Sequence, residues 1–528
     1  MTLEPEPASG PSPEPAFRRR LWLLGGFALA LRLLDLGRRE LWVDEAFTWN
    51  FAQKVGQPGF GELIRLEATP PLYYGLIGLL LRIFGDSDWL IRLPSAVFGA
   101  QSVMLVALLG EKLGWRPAGL AGALVLAVHP WHLFISQEAR VYPLLLLLLL
   151  VLAMATWRAL ETDAGADWVK VGAVLTLCLY CHLFGIFVGA AAAVAVVALG
   201  RGLRSRLRGF TALAGACLLF APYVMMVLPS LASSGANWTH DLFYSALPGE
   251  GSLARVYEGH LIGARYNLIH RELTQPDPPW LLRWPAVIAQ TLLLAAAIYK
   301  ARRPGGDRRR VAFVAIFYLV PFLVPWATLF TGKNFFLVGR HDFMALGPLC
   351  LLLGAGFVQW RQKWRALAWL LLVPVVAAGL FRHAWLYLKP ADGSATERGR
   401  YLAAAATPDD LVVCFGIERL LGERYSTLAG GRLAFESFPA EIDRHPGWSD
   451  PRPLLRRLPE LREEARSRVR QQIGKGRVVT LERYLGNGPG DRPPGWEVDE
   501  LYLAALREAG WRLESRDDKH HVRVWSSP

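Results

Sequence analysis

Apolar runs of about 17–25 residues recur along the chain, separated by short polar stretches that hold most of its arginines. At ~1.5 Å per helical residue, such a run crosses a hydrocarbon core of ~30 Å. The pattern predicts eleven spans, near 21–37, 89–111, 118–134, 142–160, 168–181, 183–199, 209–229, 281–299, 311–330, 342–360 and 366–386. The apolar stretch 70–84 is shorter and opens on Pro70 and Pro71, so it is expected to lie as an interfacial or re-entrant helix. Past Lys389 the periodicity changes. Strand-like runs (411–415, 477–480, 522–525) alternate with helix-like ones (454–472, 500–509), which predicts a small α/β domain over 389–528. Residues 1–16, rich in Pro, Glu and Ser, have no apolar periodicity and read as a disordered tail before a transmembrane region over 17–388.

Composition agrees with a polytopic α-helical membrane protein: 53% of the 528 residues are hydrophobic and mean hydropathy is +0.25. The net charge of +13 does not point to nucleic acid, because the basic residues fall in blocks between apolar runs, as topology signals do. The strongest blocks, 201–208, 300–310 and 361–365, all face inward if eleven spans follow an inside N-terminus. A twelfth crossing at 70–84 would turn every later block outward. Ala28-Leu29-Ala30 resembles a signal cleavage site, but Arg18 to Arg20 ahead of it, Arg32 after it and the later spans favour an uncleaved anchor. This topology puts 38–69, 136–142, 230–280, 331–341 and the C-terminal domain on one outer face. The five cysteines are scattered and form no framework.

Candidate chemistry begins with Trp42-Val43-Asp44-Glu45-Ala46 after the first span. Two carboxylates beside hydrocarbon are held there for ions, protons or chemistry. They also suit the first turn of a helix at the membrane surface. Further along come EATPPLYYGLI, WLIRLPSAVFGA, SQEARVYPLLL, LYCHLFGIF and GRHDFMALGPL. In this order the six strings, which cover roughly 20–360, resemble the bacterial branch of the GT-C lipid-phosphate-sugar glycosyltransferases. That branch is glycosyltransferase family 39, which is similar to protein O-mannosyltransferases and the aminoarabinose transferases of lipid A.

The resemblance implies a GT-C fold and inverting transfer from a polyprenyl-phosphate sugar, on the outer face, to a glycan, lipid or protein hydroxyl, with membrane lipids as the other partner. It makes Asp44 the catalytic residue, acting as base, with Glu45 beside it. A hydroxyl is a poor nucleophile at neutral pH, so a carboxylate in hydrogen-bond reach must take its proton. The family's acid-His-Pro-Pro-Leu motif corresponds to Glu67-Ala68-Thr69-Pro70-Pro71-Leu72, with Thr69 in place of the His. Glu67 is expected to orient the acceptor or share the proton. The departing lipid phosphate gathers negative charge and calls for cations and donors. Outer-face candidates are Arg140, Lys333 and Arg340, with Glu138, Tyr142, His182, Tyr73 and His341 as substrate contacts. Arg140 also suits a structural pair with Glu138 or a headgroup contact, and Lys333 and Arg340 suit snorkelling to the interface.

Other patterns are set aside. Cys178-Leu179-Tyr180-Cys181-His182 has the spacing of a haem attachment site but lies between two spans. Asp86-Ser87-Asp88 imitates a metal-binding D-x-D, and helix capping explains it better. Asn237-Trp238-Thr239 has the form of a glycosylation sequon. His129, His132 and His182 suggest a metal only weakly, and no cofactor is expected. Arg32 and Asp35, three apart, are expected to pair near the end of the first span. The outer loop 230–280 carries Trp238, His240, Tyr257, Glu258, His260, Arg265 and Tyr266, a mixture that suits sugar recognition, while the C-terminal domain is expected to bind the acceptor. A flippase of lipid-linked glycans or a glycan polymerase would share several of these features, but no internal repeat or paired broken helices favour a transporter.

Overall fold

The computed structural model describes residues 13–67, 69–233, 252–263, 279–303, 307–330, 336, 339–388, 393–444, 451–483 and 495–528. Lys333, and Trp238, His240, Arg265 and Tyr266 of the predicted outer loop, lie outside the described residues, as does the sequon.

In chain order the helices are α1 (Pro13–Leu33), α2 (Val43–Lys54), α3 (Phe60–Glu67), α4 (Leu72–Phe84), α5 (Asp88–Lys112), α6 (Arg116–Val128), α7 (Pro130–Ser136), α8 (Tyr142–Thr162), α9 (Gly165–Cys181), α10 (Gly185–Leu199), α11 (Gly202–Ser233), α12 (Leu253–Ile262), α13 (Trp280–Arg302), α14 (Arg308–Ala327), α15 (Leu346–Lys363) and α16 (Arg365–Leu388). They are followed by α17 (Ser394–Ala405), β1 (Leu411–Phe415), α18 (Arg419–Leu428), β2 (Ala434–Phe438), α19 (Pro451–Leu455), α20 (Leu458–Gln472), β3 (Val478–Leu481), α21 (Trp496–Glu508), β4 (Arg512–Asp517) and β5 (Val522–Ser526). A helix stands at each of the eleven predicted spans, the third being broken into α6 and α7. Among the described residues, seven helices are long and apolar enough to cross a membrane, or eight when the bent pair α6 and α7 counts as one. The protein is a multi-pass membrane protein. The 13-residue α4 is ~20 Å long, too short for a core of ~30 Å.

The chain divides into two compact units. The first comprises residues 1–36, 69–73 and 92–389; the second comprises 37–68, 74–91 and 390–528.

The first unit is a helical bundle. Helices α6 and α15 pack closely, where a Cβ at Gly354 would overlap the Ala118 carbonyl and one at Gly122 the Cys350 carbonyl. Without a hydrophobic driving force between helices in lipid, such backbone approach is what packing relies on. Between α6 and α7 the axis bends by 63°, at the extended residue His129 followed by Pro130. Arg32 does not pair with Asp35. It is fully buried, and its Nη2 donates to His132 Nδ1 at 2.6 Å and Nη1 to the Ala28 carbonyl at 2.7 Å, while Asp35 is exposed at φ +53°. A buried cation gains more from fixed acceptors inside the bundle than from a partner already in contact with solvent.

In the second unit, β2-β1-β3-β5-β4 form a five-stranded sheet, with β1 parallel to β2 and β3 and β5 antiparallel to β3 and β4. Side chains alternate across it. Val413, Phe415, Val478 and Trp525 pack with Leu461, Val469, Tyr502 and Leu506 on one face. Val412, Cys414, Val479 and Val524 pack with Leu402 on the other. The sheet is thus covered on both faces, which is why its inner strands read as continuous apolar runs. The helices α2 and α3 belong to this same unit.

Candidate active site

In the first unit, four residues predicted from sequence converge. Tyr142, His182, Arg340 and His341, together with Phe184 and Phe343, line one narrow cleft. They arrive from separate places: the start of α8, the α9–α10 turn and the turn before α15. Proline in the first turn of α8 lets that helix begin immediately after the SQEAR turn, so Tyr142 follows Arg140 closely. The Arg140 guanidinium carbon lies 5.7 Å from the centre of the Tyr142 ring. His182 is 5.7 Å from Tyr142, ring centre to ring centre, and 6.4 Å from His341, which stacks on Phe184 at 4.0 Å. The backbone N–H of Phe184 donates to His182 Nδ1 at 3.0 Å, so the ring proton is on Nε2.

Buried polar residues hold these side chains. Ser95 Oγ donates to the Arg140 carbonyl at 2.9 Å and lies 2.9 Å from the Tyr73 hydroxyl. Tyr73 has no exposed surface, and its hydroxyl meets Ser95, which binds the Arg140 backbone. Gln137 Nε2 donates to the carbonyls of Arg32 and Leu34 and to the Tyr387 hydroxyl, fixing the α7–α8 turn. Glu138 is buried. On the other side, Gly339 takes φ +90°, a conformation that favours glycine, and its N–H donates to Asp342 Oδ1 at 2.6 Å. Asp342 Oδ2 accepts from His260 Nε2 at 3.0 Å, and the Tyr318 hydroxyl lies 3.2 Å from His260 Nδ1. The His260 carbonyl in turn accepts from His129 Nε2 at 2.9 Å. His129, His132 and His260 therefore serve a buried hydrogen-bond network. Among the described residues, no three His, Cys, Asp or Glu side chains are grouped as a metal would need.

The second unit carries the acidic residues. Asp44 and Glu45 lie in the first turn of α2. Glu45 is fully buried and accepts from the Trp42 backbone N–H at 3.4 Å, closing the helix N-terminus. Asp44 is half-buried, and its carbonyl accepts from Thr48 Oγ1 at 3.1 Å. Glu67 ends α3, and its side chain lies outside the described residues. Asp86 and Asp88 both bind the Arg424 guanidinium, while Ser87 Oγ caps α5 by accepting from Leu90 N–H at 3.2 Å. Capping therefore explains the serine of that motif and not its carboxylates.

Sequence reasoning missed Ser95, Gln137 and Asp342. The available signal was weak but physical: a polar or acidic residue inside or beside an apolar run is costly unless partnered.

A family profile described as dolichyl-phosphate-mannose-protein mannosyltransferase matches residues 68–226. The undecaprenyl phosphate-alpha-4-amino-4-deoxy-L-arabinose arabinosyl transferase of Pseudomonas aeruginosa (strain UCBPP-PA14) is 26% identical over 369 residues. That match takes in 65% of this chain and spans 60% of the length of the curated relative. Among solved structures, ArnT from Cupriavidus metallidurans superposes with a TM-score of 0.63 in the apo state, at 14% identity, covering 97% of this chain and 98% of that one. Its complex with undecaprenyl phosphate gives 0.60 at 12% identity, covering 96% and 97%. An oligosaccharyltransferase of Archaeoglobus fulgidus in the apo form gives 0.51 at 12% identity, over 80% of this chain and 64% of that one. The chain has the GT-C membrane fold. Within that class it resembles the lipid A aminoarabinose transferases.

Proposed function

We propose that this protein is a membrane glycosyltransferase that moves a sugar from a polyprenyl-phosphate donor to an acceptor hydroxyl on the outer face of the cytoplasmic membrane. The observation that carries this reading is the cleft lined by Tyr142, His182, Arg340 and His341, with Arg140 over the tyrosine ring. Two guanidiniums and an imidazole N–H suit a phosphate, which guanidinium binds in a bidentate, charge-assisted way. The names of the relatives point the same way, since one uses undecaprenyl phosphate as sugar carrier and ArnT has been solved with that lipid bound.

In the reaction, the acceptor oxygen bonds to the anomeric carbon as the bond from that carbon to the phosphate oxygen breaks, with inversion. The electron pair leaves with the lipid phosphate, and the hydroxyl proton passes to the Asp44 carboxylate. Arg140, Arg340 and the His182 Nε2–H stabilise the charge growing on the phosphate. Glu45 closes the helix that carries Asp44, and Glu67 orients the acceptor. The residues fit acid–base and electrostatic catalysis without a cofactor. The inward-facing basic blocks support an inside N-terminus, with the reacting residues and the C-terminal domain outside.

The test is sugar release from labelled polyprenyl-phosphate sugars by the purified protein in lipid, comparing wild type with Asp44→Asn. Turnover in wild type that disappears in the variant, with donor binding retained, is expected. Equal donor binding or transbilayer movement in both proteins, with no bond cleaved for any acceptor, overturns the reading in favour of transport.

A further inference from the structure

The acid-bearing helix α2 and the C-terminal α/β domain are joined by an unusual set of contacts, all inside the second unit. Arg424, on α18, has a side chain with no exposed surface. Its Nη1 lies 2.9 Å and 3.1 Å from the two Asp86 carboxylate oxygens, and its Nη2 and Nε lie 2.5 Å and 3.1 Å from Asp88 Oδ1. One guanidinium thus spans two carboxylates, satisfying most of its donors in the planar fork that arginine provides. The same Asp86 accepts from two residues of α2: Trp49 Nε1 at 2.7 Å and Gln53 Nε2 at 3.1 Å. The Arg424 guanidinium also lies 5.1 Å from the Trp49 ring centre.

The next residue extends the tie. The Tyr425 hydroxyl donates to Asp88 Oδ2 at 2.8 Å and accepts from the Leu41 backbone N–H at 2.5 Å, three residues before Asp44. One position earlier, Glu40 accepts from the Ala395 and Thr396 N–H groups at 3.0 Å and 2.9 Å, at the N-terminus of α17. The approach to α2 is therefore held directly by groups of the C-terminal domain, and α2 itself through Asp86, which Arg424 binds. Capping α5 needs only Ser87. A second carboxylate and a buried arginine exceed what a turn requires, and an ion pair of this kind brings little net stability.

We propose that Arg424, through Asp86 and Asp88, is a positioning residue that sets the orientation of the α2 first turn, so that the C-terminal domain acts as the seat of the reacting carboxylate. The functional half of this inference rests on the role given to Asp44 above. Misplacing a reacting group by ~1 Å can slow a reaction on the order of 100-fold, although the group itself is unchanged.

The experiment uses the full chain in lipid nanodiscs and compares wild type, Arg424→Gln, Arg424→Lys and the double variant Asp86→Asn/Asp88→Asn. Hydrogen exchange over residues 42–54 is expected to speed up in Arg424→Gln and in the double aspartate variant, with β1 and β3 remaining protected. In the same variants kcat for sugar transfer is expected to fall on the order of 10–100-fold with donor KM unchanged, partly restored by Arg424→Lys, because orientation is lost and the donor site is not. Combining Arg424→Gln with the aspartate changes is expected to add nothing further. Unchanged exchange over 42–54, or loosening of β1 and β3 together with α2, overturns the positioning role. So does a rise in donor KM at constant kcat. The exchange measurement needs no turnover, so if wild type transfers no sugar, the Asp44 reading fails while the mooring of α2 is still decided.

Discussion

Replacing Asp342 tests a fully buried support of the cleft. Its side chain has no exposed surface, and its two oxygens accept from the Gly339 N–H at 2.6 Å and from His260 Nε2 at 3.0 Å. Asp342→Ala strands both donors. Each unsatisfied buried donor costs ~1–3 kcal/mol, so about 2–6 kcal/mol is lost from the packing of the turn. Asp342→Asn keeps the shape and an oxygen for Gly339 but offers His260 an NH₂ group, which limits the loss to ~1–3 kcal/mol. Because Arg340 and His341 lie between Gly339 and Asp342, the slack is taken up at the cleft. Losing one charged hydrogen bond to a phosphate, ~1.5–3 kcal/mol, corresponds to a rise in Kd of ~10–150-fold. The assay is equilibrium binding of labelled polyprenyl phosphate to the protein in nanodiscs, with thermal unfolding followed in parallel. Arg340→Ala serves as the reference. If Arg340→Ala weakens binding ~10-fold or more while Asp342→Ala stays within about two-fold of wild type, Asp342 does not hold the turn and the reasoning fails.

Further outcomes are expected. His182→Ala should weaken binding of the lipid phosphate more than His182→Gln, which keeps an N–H donor, as the same binding assay will report. Gly354→Val should destabilise the bundle by about 1–3 kcal/mol or prevent its folding, because the added side chain meets the Ala118 carbonyl; detergent-resistance unfolding will show this. In the C-terminal domain, burial pushes the Asp410 carboxyl up, but hydrogen bonds from Arg477 and Thr407 overcome this and hold it at about 2. Since its folded value lies below the ordinary ~3.9, Asp410 contributes stability that is complete above about pH 4 and is lost as pH falls through about 2. An Asp410→Asn variant should therefore show a flatter loss of stability below pH 4 than wild type in acid unfolding followed by tryptophan fluorescence. Addition of EDTA should leave sugar transfer unchanged.

The helical part of the fold was legible because hydropathy is a local property: each of the eleven apolar runs holds enough residues to declare itself. In the C-terminal domain, β1, β3 and β5 were visible for the same reason, being buried runs of Val, Phe, Leu and Trp. The edge strands were not. β2 follows two glycines and begins exposed, and β4, Arg512–Asp517, is polar almost throughout, so neither shows apolar alternation. Its charge suits an edge that must not pair with other chains. At the cleft, Tyr142, His182, Arg340 and His341 were found because each sits in a short motif. Asp342 was passed over although it follows His341 directly, since its partner His260 is 82 residues away. Arg32 was misassigned to its neighbour Asp35 because the true partner, His132, lies 100 residues along the chain. Local spacing exposes helix-face pairs and says nothing about contacts closed by the bundle. The same limit hid the role of Asp86 and Asp88, whose cation comes from α18.

The separation between Asp88 and Arg424 has a temporal meaning. The two residues are 336 positions apart, yet they close the same unit. During synthesis at ~5–20 residues per second, α2 emerges roughly 20–75 s before α18 exists to receive it. Through that interval the membrane helices between them are made and inserted while the acidic helix waits without its seat. The second unit is thus completed last, after nearly the whole chain has been made. A polypeptide cut short before α18 would hold its membrane helices yet leave α2 unanchored, so the helix that carries Asp44 and Glu45 gains its contacts with α18 only late in synthesis.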